Sequence, residues 1–220
     1  MTTPRRALVV VDVQREYFDG PLQIRYPPID AALDAIIATI TTARKSGLPT
    51  ALIQHENPPG SAAFAAGSRG QQLHPRVAAM SQLSAPSESR DLPVFTKNRP
   101  SIFSSPEFVQ WLARRNVDTI TLVGFMTNNC LLASASAGDP AGIAIEVLRD
   151  ASGAISLAND AGAVPAQRLH EDLMVVLHSN WAAVSDTHRW ARAVAESLPL
   201  SKSNLIASAN SNQPDVGRCH

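Results

Sequence analysis

Two cysteines in 220 residues, Cys130 and Cys219, are too few for a disulfide framework. Cys219 stands one residue from the C-terminus in a polar tail, so a structural bridge to it is not expected, and a reducing, cytoplasmic setting fits. An excess of one charge is missing too, because 19 Lys and Arg balance 19 Asp and Glu. Without a basic surplus there is no electrostatic footprint for a phosphate backbone, so nucleic acid is not expected as a partner. No block of like charges forms an interaction tail. Long hydrophobic runs are also absent. The run Ala7 to Val11 follows Arg5-Arg6 in the manner of a signal peptide. It is too short, however, and it ends at Asp12 instead of a small-residue cleavage site. No run is long enough to span a bilayer, so no membrane partner is expected. The turn after that run, Asp12-Val13-Gln14-Arg15, lacks the G-x-G-x-x-G of a dinucleotide-binding turn.

What is present is enough apolar sequence for a sizeable core, at 45% of the chain. One domain over residues 1–200 and a polar, aperiodic tail over 201–220 are expected, the tail either frayed or docked on a neighbouring subunit. Short aliphatic runs alternate with helical patterns. Leu8 to Val11 reads as a strand buried on both faces. Ala31, Leu33, Ile36, Ile37 and Ile40 give helical spacing over 29–44, and Ser46-Gly47 ends that helix. Strands are expected at Thr50–Gln54, Pro93–Lys97, Thr119–Val123, Ala144–Leu148 and Trp181–Val184. Helices are expected from Pro106, capped by Ser105, from near Asn128 through Ala137, and over Pro165–Ser179. This β-then-α order predicts an α/β fold, a three-layer doubly wound sheet of mainly parallel strands with helices on both faces. From His55 to Leu92 the pattern dissolves into Pro, Gly, Ser and Ala, with a short helix around Arg76 to Leu83. So long a segment is either a functional lid or a plain surface excursion.

In such a sheet, ligands bind beyond the carboxyl ends of the strands. Three reactive side chains fall there: Asp12 after the first strand, Lys97 at the end of the third, and Cys130 just past the fourth, at the start of a helix. Taken singly, each has an ordinary explanation as a loop cap, a solvated lysine or a buried thiol. Taken together they make a nucleophile site. A helix N-terminus and a nearby cation lower a thiol pKa, so a thiolate at Cys130 beside Lys97 is expected. Asp12 then serves as proton shuttle, and backbone N–H groups of the turn 125–130 hold the oxyanion.

The stretches that carry these residues resemble a known family. Val10-Val11-Asp12-Val13-Gln14 with Tyr17-Phe18, Thr96-Lys97 before Ser101-Ile102-Phe103, and Gly124-Phe125-Met126-Thr127-Asn128-Asn129-Cys130 are similar to the signature stretches of the isochorismatase-like cysteine hydrolases. The run Gly142 to Asp150 is similar as well, and the resemblance extends from Ala7 to about Val184. It implies a six-stranded parallel sheet, a triad of Asp12, Lys97 and Cys130, and a cis peptide between Phe125 and Met126. It further implies an oxyanion hole from the Met126 and Cys130 N–H groups, and a homodimer or homotetramer.

Departures from that pattern narrow the function. Nicotinamidases in this group carry a metal at Asp-x-His after the second strand, where this chain has Gln54-His55-Glu56-Asn57. One His and one Glu are too few ligands, so neither a metal nor any other cofactor is expected. Because Cys130 is present, amide hydrolysis is favoured over vinyl-ether cleavage, with a small amide, carbamoyl or lactam compound as substrate. Tyr17, Phe18, His55 and Phe103 are candidate pocket residues. His170 and His178 share a helical segment, read as facing water, and carry no assigned role. The alternatives are a C–O hydrolase on the same scaffold, a nucleotide-binding module, and a catalytically silent interaction protein.

Overall fold

The computed structural model describes residues 3–82 and 92–211. Six strands form one parallel sheet in the order β3-β2-β1-β4-β5-β8: β1 (Arg6–Val11), β2 (Thr50–His55), β3 (Val94–Lys97), β4 (Thr119–Phe125), β5 (Ala144–Gly153) and β8 (Ala183–Ser185). Between the last two, β6 (Leu157–Asn159) and β7 (Gly162–Val164) make a separate antiparallel hairpin. The chain builds outward from β1 to β3, returns to the other side of β1 at β4, and builds outward again. The strand order therefore reverses between β1 and β4, where an open α/β sheet forms its ligand crevice.

Period-two alternation divides the core between the two faces. Ala7, Val9 and Val11 of β1, with Ala51, Ile53, Ile120 and Leu122, pack under α3 (Pro106–Arg114), α4 (Leu132–Gly138) and α5 (Ala166–Asn180). Leu8 and Val10, with Leu52 and Val123, pack under α1 (Ile29–Lys45), α2 (Pro75–Gln82) and α6 (Thr187–Ala195). Burial of β1 on both sides is why its sequence is a nearly unbroken aliphatic run. At its start, the buried Arg6 guanidinium pairs with Glu146 of β5 at 2.8 Å. Thr121 donates to the same carboxylate at 2.7 Å, and the Trp190 indole N–H donates to Thr121 at 2.9 Å, which ties α6 to the sheet.

Several expectations shift. The fourth and fifth strands run on to Phe125 and Gly153, and the last strand begins at Ala183. The helix expected from Asn128 is preceded by a π-turn over Thr127–Leu131, so α4 begins only at Leu132. Ser105 occupies the position before α3, with Pro106 in the first turn, but its side chain makes no capping bond. Ser101 caps the separate 3-10 turn Ile102–Ser104, accepting from the Phe103 N–H at 3.3 Å. The helix α6 was not legible, and the tail read as aperiodic contains α7 (Leu205–Asn210), which packs against α5. Leu83, Cys219 and the tail beyond residue 211 lie outside the described residues. Among the described residues, no helix is long and apolar enough to cross a membrane.

Candidate active site

Three strand ends supply the site. Asp12 follows β1 directly, with its N–H still donating to the Ile53 carbonyl at 2.9 Å. Its φ of 50° is left-handed, a conformation that costs energy in a non-glycine residue and tends to persist where the surroundings fix it. Lys97 ends β3 and pairs in register with His55 at the end of β2. Parallel neighbours in register point to the same face, so these two side chains meet. Beside Val11 runs Gly124 of β4, at a φ of +108°. A Cβ there would overlap the Val11 carbonyl oxygen, so only glycine allows β4 to run this close to β1. The Phe125–Met126 peptide bond is cis, and the π-turn that follows places Cys130 over the crevice.

The Lys97 Nζ lies 2.7 Å from Asp12 Oδ2, 3.4 Å from Cys130 Sγ and 3.0 Å from His55 Nδ1. Donor atoms of Asp12, His55 and Cys130 all fall within 4.8 Å of one another. Asp12, Lys97 and Cys130 are all essentially fully buried, and among the described residues neither Asp12 oxygen has a hydrogen bond of good geometry, Oδ2 meeting Lys97 as an ion pair.

Electrostatics correct one expectation. Burial, and next the Asp12 carboxylate, push the Cys130 thiol well above its ordinary value, while Lys97 pulls it down by less. Burial and the carboxylate both act to keep the proton on sulfur, so the neutral thiol is favoured over the thiolate expected from the helix start and the nearby cation, because burial and the nearest anion together outweigh that cation. Burial also works against the Lys97 ammonium, yet Asp12 and Cys130 outweigh it and hold its pKa above the usual lysine value. Burial, then Lys97, depresses His55.

The expected pocket residues part company. Tyr17 is buried, with its ring 5.3 Å from Phe64 and 5.6 Å from Phe125. Burial and the neighbouring Cys130 and Asp12 raise its phenol well above the ordinary value. Met126 is buried at the head of the nucleophile turn. Phe103 packs on the cluster that contains Cys130. Phe18 instead lies on His74, at 4.3 Å between rings, and edge-on to Phe125.

The segment after β2 folds over this group. Arg15 and Glu16 donate through their N–H groups to the Gln72 and Gly70 carbonyls at 2.9 and 3.0 Å, and His74 donates to Val13 at 2.8 Å. The Gln14 amide bridges the His55 and Gln71 carbonyls. From this segment Phe64 stands edge-on to His55 at 5.2 Å, while its N–H donates to the buried Glu16 carboxylate at 3.3 Å. The described part of this segment, residues 56–82, forms a cover, or lid, over the site. A cavity of about 440 Å³, lined in part by Asn57, Thr96, Ser104 and Glu107, reaches Lys97 from the β3 side.

Other residues at the site were missed in the sequence. Contrary to expectation, His170 does not face water. It is 3% exposed, with Nε2 donating to the Arg149 carbonyl at 3.0 Å and Nδ1 lying 2.9 Å from the Thr127 hydroxyl in the nucleophile turn. Ser134 donates to the Cys130 carbonyl at 2.6 Å and accepts from the Ile102 N–H at 3.1 Å. Asn57 lies 3.0 Å from His55 Nε2. No local pattern marks these residues as part of the site, since the His170–Thr127 and Ser134–Ile102 contacts join segments far apart in the chain and the Asn57 contact depends on the path of a loop.

This arrangement matches a known group of proteins. A family model described as the isochorismatase domain matches residues 6–170. The chain belongs to the isochorismatase family. As a hydrolase of that family it is similar to an isochorismatase-like protein from Burkholderia xenovorans LB400 whose crystal structure is known. The two are 39% identical with a TM-score of 0.86, over 94% of this chain and 96% of that one. A secreted isochorismatase effector of Verticillium dahliae is 28% identical over 152 residues, 69% of this chain and 74% of that protein. The N-carbamoylsarcosine amidase of Thermoplasma acidophilum shares the fold, with a TM-score of 0.62 at 21% identity over 83% of this chain and 96% of that one. The metal that nicotinamidases of this family hold after β2 does not fit here. Both ring nitrogens of His55 are engaged, one by Lys97 and one by Asn57, and Gln54 donates to the Gln71 carbonyl at 2.8 Å.

Proposed function

We propose that this hydrolase is a metal-independent cysteine amidohydrolase that cleaves a C–N bond of a small amide, carbamoyl or lactam compound through a thioester. The observation that carries the reading is a single buried ammonium, on Lys97, in contact with both the Asp12 carboxylate and the Cys130 sulfur. Such a site can move a proton from thiol to carboxylate without any new net charge appearing at a buried position.

Asp12 takes the Cys130 proton and becomes neutral as sulfur attacks the carbonyl carbon, so the one negative charge passes to the carbonyl oxygen while Lys97 stays beside the sulfur. The oxyanion forms where the Met126 and Cys130 N–H groups point, and it collapses as Asp12 gives its proton to the leaving nitrogen. Water then enters, loses a proton to Asp12 and splits the thioester, after which the proton returns to sulfur. Tyr17, Phe103 and His55 shape the space around the acyl group, and Phe18 lies further out. The amidase that shares the fold is compatible with this chemistry, and the intact triad supports it. Cys130 as a free thiol fits a reducing, cytoplasmic setting. The apolar side chains exposed on α5 and α7, namely Val175, Val176, Leu205 and Ile206, are what support a homodimer or homotetramer.

The test is a screen of small primary amides, carbamates and lactams for ammonia release or ring opening, run beside Cys130→Ala. Turnover that vanishes in the variant, with an acyl mass on Cys130 in the wild type, supports the reading. The isochorismatase names of relatives favour a second reading, C–O cleavage on the same scaffold. In that case Cys130→Ala keeps its turnover and no acyl adduct forms.

A further inference from the structure

An ammonium has three N–H donors and no lone pair. Three groups of different kinds surround the Lys97 Nζ: Asp12 Oδ2 as an ion-pair partner at 2.7 Å, and Cys130 Sγ at 3.4 Å and His55 Nδ1 at 3.0 Å as hydrogen-bond acceptors. The first two belong to the reaction described above, and the third does not. A ring nitrogen that accepts a hydrogen bond from an ammonium must offer its lone pair, so His55 Nδ1 carries no proton. The other ring nitrogen, Nε2, lies 3.0 Å from Asn57 Oδ1. That amide is oriented by its own NH₂, which donates to the Ala63 carbonyl at 3.0 Å, so Oδ1 faces the ring and Nε2 holds the proton. A directed chain of hydrogen bonds thus runs from Lys97 to His55, on to Asn57 and into the lid.

We propose that His55 is a positioning residue: fixed by Asn57 as the Nε2–H tautomer, it accepts an N–H of Lys97 and keeps the ammonium between Asp12 and Cys130. The catalytic meaning of this role rests on the function proposed above, whereas the hydrogen-bond geometry does not. Without His55 one buried N–H has no acceptor, which is costly at so closed a position. The ammonium then turns toward Asp12, its shortest contact, and leaves the sulfur, its longest. The thiolate formed during attack loses the charge that balances it. The groups that face the ring are Lys97 from β3, Asp12 after β1, Cys130 from the nucleophile turn, and Asn57 and Phe64 from the lid. A second proton on the ring would set a cation against Lys97 and leave no acceptor for it.

Two measurements test this. The first needs no substrate: long-range ¹H–¹⁵N spectra of the ¹⁵N-histidine-labelled protein, with His55 assigned as the signal missing in His55→Asn. An unprotonated Nδ1 and protonated Nε2 at neutral pH are expected. An Nδ1–H tautomer or an imidazolium overturns the proposal. The second compares His55→Asn, whose Oδ1 can replace the acceptor, with His55→Leu, which keeps the apolar contact with Phe64. On a substrate found by the screen, the Leu variant is expected to lose about ten- to a hundredfold in kcat relative to the Asn variant, with KM little changed. A Leu variant as active as Asn, or more so, means that the ring only packs, and the proposal fails. The Nε2–H tautomer found alongside a screen without amide hydrolysis would sink the function while leaving the cradle standing. The wrong tautomer would do the reverse.

Discussion

Lys97 Nζ and Asp12 Oδ2 lie 2.7 Å apart with neither side chain exposed to solvent. A pair so buried is weak evidence of stability, because desolvating both charges offsets much of their attraction, but removing one partner strands the other. Asp12→Asn and Lys97→Met are each expected to cost about 3–5 kcal/mol of folding stability. Asp12→Asn also removes the proton shuttle and is expected to slow turnover by about 10²- to 10⁴-fold. The double variant leaves no stranded charge and recovers part of the stability but none of the activity. Denaturant midpoints and turnover of the three variants check this, and a double variant less stable than either single one would contradict it.

The thiol held up by burial and by Asp12 gives an alkylation profile with a definite sign. Iodoacetamide is expected to label Cys130 far more slowly near neutral pH than it labels the same cysteine in unfolded chain, and to speed up as pH rises. The native state holds this proton more tightly than the unfolded state does. Its contribution to stability is therefore complete below the unfolded thiol value of about 8.5 and declines above it. Cys130→Ala is expected to lack that alkaline decline. Peptide-resolved labelling against pH, with melting curves of both proteins, measures the two effects, and fast labelling at neutral pH would mean a resting thiolate.

The sequence was informative wherever one residue's neighbours along the chain decide its environment. The aliphatic run before Asp12, the helical spacing in α1 and the strand ending at Lys97 are each set by periodicity over a few residues, and they place the triad. The charge state of Cys130 is different. A helix start and a nearby lysine suggest a thiolate, but the depth of burial and the sense of the balance between Asp12 and Lys97 are tertiary facts. The same holds for His170, which reads as one of several polar residues on α5 until the path of the nucleophile turn brings Thr127 against it. It holds for Asn57 and Phe64 too, because a segment without periodicity gives no hint of which way it folds back.

Two buried histidines give the acid side of the stability profile. Burial comes first among the causes that depress His55, followed by Lys97, and burial likewise depresses His170 against the pull of the Arg149 carbonyl. The unfolded chain therefore binds these protons more readily. The stability they contribute is complete above the unfolded histidine value of about 6.5 and is lost as pH falls through their native values. His170→Gln is expected to melt lower at neutral pH and to show a shallower acid decline. Because Thr127 loses the ring nitrogen at 2.9 Å and keeps only the Gly153 carbonyl at 3.1 Å, turnover is expected to fall without any change to Asp12, Lys97 or Cys130. Melting temperatures from about pH 7 downward test the first point, since the decline begins near the free histidine value. An acid decline as steep in the variant as in the wild type would count against it.

Asp12, His55 and Cys130 have the donor types and the proximity of a zinc site, yet the Lys97 ammonium touches all three. A divalent ion among these donors would have to displace a buried cation that Asp12 and Cys130 hold in its charged form. Exhaustive treatment with EDTA is therefore expected to leave turnover unchanged, and Zn²⁺ at stoichiometric amounts to neither restore nor raise it. Deleting the ammonium reverses the logic. In Lys97→Ala the donors lose their cation, and Co²⁺ is expected to bind with the absorption of a thiolate-ligated ion, while the wild type shows no such band. Loss of wild-type activity to the chelator, recovered by metal, would mean that the ammonium does not occupy this position in the working enzyme.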